Sequence, residues 1–173
     1  MKTAIALIFS LLLAGCASYS GYSLKPGTSN IDETIKLMGE PAMRWQESDG
    51  TSYLVYPRGP AGVVTYRFRF DAKAVLASRE NVLDWQHFAR IRPGMSQEEV
   101  LRIIGPPFPG WTQYFAARDE LVWEWRWCDD YSEPARFNVL FDGTSGKVRS
   151  TQSMSERQVM PFGRGDRRDW CSR

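Results

Sequence analysis

The chain has 173 residues, 43% of them hydrophobic, with 22 basic residues, 20 acidic ones and one histidine, for a formal net charge of +2. So small a charge argues against a nucleic-acid partner, because binding of that kind rests on neutralising many phosphates. A lone histidine, scattered carboxylates and the lack of any glycine-rich phosphate loop provide no catalytic set, no metal site and no cofactor to expect.

Near the start Lys2 supplies a positive charge, followed by a ten-residue apolar run from Ala4 to Leu13 and the small residues Ala14 and Gly15. Such a run is too short to cross a bilayer comfortably. Residues 1–15 therefore read as a secretory signal, to be set aside from the fold. The sequence "LAGC", ending at Cys16, resembles the lipobox of bacterial lipoproteins. The resemblance implies cleavage before Cys16, a diacylglyceryl thioether on its sulfur and an acyl group on its new amine. Ala17 follows, not the aspartate that retains many lipoproteins in the inner membrane, so the resemblance implies an outer-membrane anchor facing the periplasm. Each buried methylene stabilises by about 0.8 kcal/mol, so three chains would hold essentially permanently. Residues 16–23 read as the lipid-anchored linker.

Two stretches then say nearly the same thing 67 residues apart: "LKPGTSNIDETIKLMGEP" from Leu24 and "IRPGMSQEEVLRIIGPP" from Ile91. In the first, Asn30 or Ser29 caps a short helix and Glu33 or Asp32 answers from its first turn. Ile31, Ile35 and Met38 share a face, with Leu37 beside them. Gly39 ends this helix and Pro41 blocks it. Three strands follow, within "TSYLVYPR", "GVVTYRFRFDA" and "KAVLASREN". In the second of these Val64, Tyr66, Phe68 and Phe70 alternate with Thr65, Arg67 and Arg69, the period of a half-buried strand. The unit spans residues 24–80.

The second unit spans residues 81–156. It opens on "NVLDWQHFARI", a helical segment with Asn81 as a possible cap and Leu83, Phe88 and Ile91 near one face. His87 lies here and reads as a packed or surface residue. Next comes a capping box of Ser96 and Glu99, with Met95 and Val100 placed as a hydrophobic staple. Val100, Ile103 and Ile104 form the buried face, and Gly105 supplies a left-handed stop before Pro106 and Pro107. Three strands again follow: "DELVWEWRWCDD", "ARFNVLFDGTSG" and "KVRSTQS". Both copies end a strand on Phe-Asp, at Asp71 and Asp142, and "DGTSG" is a strong hairpin signal. Helices this short are unstable alone and must lie on something. The expected fold is α+β: two tandem helix–helix–three-stranded antiparallel units.

Residues 157–173 form a basic tail with five arginines and two aspartates. This tail could touch anionic head groups or simply be solvated. It contains Cys171, which either bridges to Cys128 or leaves two free thiols; an oxidising compartment favours the bridge.

The pattern "GMSQEEVLRIIGPP", an aromatic strand and "FNVLFDGTSGKV" resembles the SmpA/OmlA (BamE-like) family of outer-membrane lipoproteins. The match is good from Ile91 to Ser153 and weaker from Leu24 to Asn81. The duplicated unit also resembles the β-lactamase inhibitory protein architecture. The family resemblance implies a non-catalytic, protein-binding accessory whose partner belongs to the outer-membrane β-barrel assembly machinery or serves envelope integrity. The inhibitor resemblance implies the alternative, a binder of a periplasmic enzyme. Trp45 in "EPAMRWQESDG" and Trp111, Tyr114 and Phe115 in "PFPGWTQYF" sit in aromatic loops, candidates for a two-part grip on a partner. Trp123, Trp125 and Trp127 share one strand face and read chiefly as core, with Trp125 kept as a candidate contact at a cleft between the copies.

Overall fold

The computed structural model describes residues 21–156 and residue 171. The signal segment, Cys16 and nearly all of the basic tail lie outside the described residues.

The first helix, α1 (Ile31–Met38), is held by a capping box: Glu33 N–H donates to the Asn30 side chain, and the Asn30 N–H donates to the Glu33 carboxylate. Four strands follow: β1 (Met43–Gln46), β2 (Ser52–Pro57), β3 (Thr65–Phe70) and β4 (Leu76–Asn81). They form an antiparallel sheet in chain order. One face of it meets α1 in a cluster of Met38, Leu54, Tyr56, Phe68, Phe70 and Leu76.

The second unit repeats this plan. A one-turn helix, α2 (Trp85–Phe88), leads to α3 (Gln97–Ile104), which carries its own capping box between Ser96 and Glu99. Strands β5 (Gln113–Phe115), β6 (Glu120–Cys128), β7 (Pro134–Asp142) and β8 (Val148–Ser155) again pair in chain order. Leu83, Phe88, Ile91, Val100, Ile103 and Ile104 bury against Trp125, Trp127, Phe137 and Phe141.

The duplication extends to detail. Gly27 N–H donates to Leu76 O, and Gly94 N–H donates to Val148 O, both at 2.8 Å, so the loop before each capped helix is tied to the unit's last strand. A bulge falls at Arg69/Phe70 in one sheet and at Leu140/Phe141 in the other. In each unit an aromatic on the second strand holds the carbonyl of the helix-stop glycine. Tyr56 Oη donates to Gly39 O at 3.0 Å and Trp125 Nε1 donates to Gly105 O at 3.2 Å.

The expected helix–helix–three-strand tandem is nonetheless overturned. Each sheet has four strands, because the aromatic loops supply β1 and β5, and among the described residues the first unit has one helix. The reason lies in edge pairing. An exposed sheet edge leaves unpaired N–H and C=O groups, and Met43–Gln46 and Gln113–Phe115 satisfy those of β2 and β6. The α2 cap is Asp84, whose carboxylate accepts from His87 N–H, while Asn81 ends β4 and accepts from the N–H groups of Thr65 and Leu83. The helix stops are not left-handed turns either. Gly39 (φ 83°, ψ −172°) and Gly105 (φ 73°, ψ 178°) adopt an extended conformation at positive φ, a region essentially reserved to glycine.

Asp142 ends β7 and organises the hairpin that follows. It accepts from the N–H and hydroxyl of Ser145 and pairs with Arg149. These hydrogen bonds, the Ser145 N–H first, hold its carboxyl down at about 2. A pKa lowered on folding stabilises the folded state above the carboxylate's ordinary range and is lost as the pH falls through the folded value. Asp142→Asn is expected to melt at a lower temperature than the parent at pH 7. That gap should close between about pH 4 and pH 2, as thermal melts across the range will show.

Candidate functional site

The two units meet where the C-terminal turn of α3 lies against the back of the first sheet, the face turned away from α1. Arg67 is the centre of that junction. Its Nε and Nη2 both donate to Glu80 Oε1, at 3.0 and 2.9 Å. Its Nη1 reaches the carbonyls of Arg102, at 2.9 Å, and Ile103, at 3.3 Å. The last carbonyls of a helix have no partner within it and carry the negative end of its dipole. A guanidinium from the neighbouring unit therefore caps α3.

His87 completes the arrangement. Its Nδ1 lies 2.8 Å from Asp84 Oδ1 and its Nε2 lies 3.2 Å from Arg67 Nη2. An imidazole that donates from Nδ1 and accepts at Nε2 satisfies both contacts. The single histidine is thus a buried strut between α2 and the first sheet. Arg67→Met keeps the volume but removes every donor. It is expected to cost about 2–3 kcal/mol, the range for lost hydrogen bonds to charged and buried acceptors. Arg67→Lys should recover only part of this, since one ammonium cannot span Glu80 and two carbonyls. Urea unfolding of both variants measures the difference.

Beside this junction opens a cleft of about 310 Å³. Its floor is the back of the first sheet, where Trp45 pairs across with Tyr53 and Tyr53 with Arg69, and where Arg67 pairs with Glu80. Its far wall is the end of α3, with Arg102 and Ile103, and Arg90 stands at the rim. Trp45 stacks on Tyr53 with ring centres 4.7 Å apart and 14° between planes. Its indole N–H donates to Glu47 Oε1 at 2.8 Å. The Arg102 guanidinium lies 5.7 Å from the Trp45 ring centre and pairs with both Glu47 and Glu98.

The other aromatic candidates do not join Trp45. Trp111 lies in a 3-10 turn (Pro109–Trp111), edge-on to Phe108, with Arg126 4.4 Å from its ring centre. It borders a separate, nearly filled depression with Pro57, Gly59 and Pro106. Tyr114 is 56% exposed, on β5. Its hydroxyl donates to Asp119 Oδ1 at 2.6 Å, which holds the phenol above its ordinary range. Phe115 closes the same strand under Arg118. A two-part grip by matching loops is therefore not what the structure shows: these residues stand on strands and turns, in different places. Trp125 is 2% exposed, with its indole N–H spent on Gly105 O; it packs in the second core and its edge lines the same small depression as Trp111, between the two units. Trp127 is likewise buried and Trp123 packs partly against the same core.

Sequence reasoning missed the arginines. Arg67 and Arg69 were legible as the polar face of β3, but nothing linear links them to Arg90 and Arg102. Cys128 and Cys171 form a disulfide with Cα atoms 5.5 Å apart. Among the described residues no helix is long and apolar enough to cross a membrane.

What fold and cleft define is a duplicated capped-helix and four-stranded-sheet protein with an arginine-lined groove at the join. No family model matches the chain, and no curated protein does. Among solved structures it is similar to the osmotically inducible lipoprotein OsmE, at 30% identity over 46% of this chain and 86% of that one, with a TM-score of 0.34. It is also similar to an extracellular SCP-domain protein from Bacillus anthracis str. Ames, at 11% identity over 80% of this chain and 46% of that one, with a TM-score of 0.28.

Proposed function

We propose that this chain is a lipoprotein of the SmpA/OmlA type, anchored through Cys16 to the periplasmic face of the outer membrane. There it acts as a non-catalytic, protein-binding accessory in outer-membrane β-barrel assembly or envelope integrity. The observation that carries the reading is the cysteine at the end of a short apolar segment, Leu13-Ala14-Gly15-Cys16, ahead of two folded units. Attachment by acyl chains confines a small domain to one surface and raises its effective concentration for partners there.

Two measurements test it. Labelled palmitate should enter the parent chain and not Cys16→Ser. Affinity capture of the lipidated protein from mild detergent should recover barrel-assembly components. Recovery of a soluble periplasmic enzyme in their place would shift the reading to an inhibitor or binding module, and no palmitate in the parent would remove the anchor altogether.

A further inference from the structure

The cleft at the join has a charge imbalance that the fold does not use. Four arginines border it, Arg67, Arg69, Arg90 and Arg102, against two glutamates, Glu47 and Glu80. Both glutamates are occupied. Glu80 accepts two bonds from Arg67, and Glu47 holds Arg102 and the Trp45 indole. Arg67 and Arg102 are tied down by the same bonds and by the helix carbonyls and Glu98. Arg69 and Arg90 are different. Both are exposed. Among the described residues neither makes a salt bridge within 4.0 Å; the Arg69 side chain has a 3.4 Å contact with Ser78 Oγ and a more distant attraction to Asp49. Next to Arg69 on the same floor lies the stacked Trp45–Tyr53 pair.

Two exposed guanidiniums that form no salt bridge among the described residues, beside a flat aromatic platform, suit an anionic ligand with an apolar part. Guanidinium presents a planar fork of donors that matches a carboxylate bidentately. Aromatic and arginine side chains together are the composition of interface anchors. The cleft is bordered by Trp45 of β1, an edge strand, so an extended chain can lie along it. We infer that this cleft binds an acidic, aromatic-containing peptide segment of a protein partner: its carboxylates pair with Arg69 and Arg90, and an aromatic side chain packs on Trp45 and Tyr53. This deepens the protein-binding role proposed above and rests on it only for the partner's identity.

The test uses the full, lipidated chain in detergent and a fluorescein-labelled hexapeptide of alternating glutamate and phenylalanine, read by anisotropy. The lysine–phenylalanine counterpart and free N-acetylglutamate serve as comparisons. The acidic peptide should bind, more weakly with rising salt. The double variant Arg69→Gln/Arg90→Gln should lose at least tenfold in affinity while a thermal melt shows that it remains folded, because both side chains are exposed and form no salt bridge among the described residues. Trp45→Ala should weaken binding independently of salt. Equal binding of the basic peptide, an unaffected double variant, or N-acetylglutamate competing at the peptide's own concentration would each overturn the inference, the last by making the cleft a small-carboxylate site. Capture from detergent separates this inference from the broader role. Barrel-assembly components recovered equally by parent and double variant would sink the cleft and leave the accessory role standing. Peptide binding without such components would do the reverse.

Discussion

Gly105→Ala is expected to destabilise the chain by about 4 kcal/mol, and Gly39→Ala, at the matching position of the first unit, by about 2. Both glycines stop a capped helix in the same conformation at positive φ, which costs an L-residue about 1–3 kcal/mol. Their surroundings differ. A β-carbon on Gly39 would meet nothing within 4 Å, whereas one on Gly105 would stand 2.8 Å from both Val55 Cγ1 and Thr65 Cγ2. Those two atoms belong to the first sheet, so the added methyl would act as a wedge between the units, and overpacking of that kind costs about 1–3 kcal/mol more. It would also disturb the Gly105 carbonyl that Trp125 holds and the α3 carbonyls that Arg67 caps. Denaturant unfolding of the two single variants measures the difference directly. Equal losses would mean that the units do not press together at this glycine.

Removal of the disulfide should have an effect of the same size. Cys128 and Cys171 are 43 residues apart in sequence. In the chain-entropy account, closing a loop of that length restricts the unfolded ensemble by about 4 kcal/mol. Cys128 lies at the end of β6, the strand that places Trp125 and Trp127 in the second core. The paired variant Cys128→Ser/Cys171→Ser, compared with the reduced parent, should unfold at a markedly lower urea midpoint than the oxidised parent, the two matching each other. A double variant as stable as the oxidised parent would show that the bridge adds no stability. The first unit contains no cysteine of the pair, so hydrogen-exchange protection in Phe68 and Phe70 should fall less than in Phe137 and Val139.

The parts legible in the sequence share one property: they are local. A capping box is written in four consecutive residues, so Ser96 and Glu99 could be assigned at sight, as could the alternation of Phe68 and Phe70 with Arg67 and Arg69. The Phe-Asp turns at Asp71 and Asp142 were equally plain, and the repetition of the whole pattern announced a duplication. Where local signals ran thin, reading went astray. β1 has only four residues, and its hairpin is marked only by Asp49-Gly50, a turn dipeptide that follows a conspicuous tryptophan. β5 has three residues and turns through Ala116–Arg118, with Asp119 at φ 46°, and no dipeptide signal marks it. Trp125 was open to two readings because alternation gives a face and cannot say what covers it.

The sequence by itself determined the duplicated units, their capped helices and the parity of the long strands, because each depends on neighbours a few residues apart. Only the tertiary structure decided that the back of the first sheet meets the end of α3, and with it the roles of Arg67, His87 and Gly105. The cleft of Arg69, Arg90, Arg102 and Trp45 is of the same kind. Its residues come from β1, β3, the segment after α2, and α3, and no periodicity couples elements that touch only when two independent hydrophobic faces have each been covered.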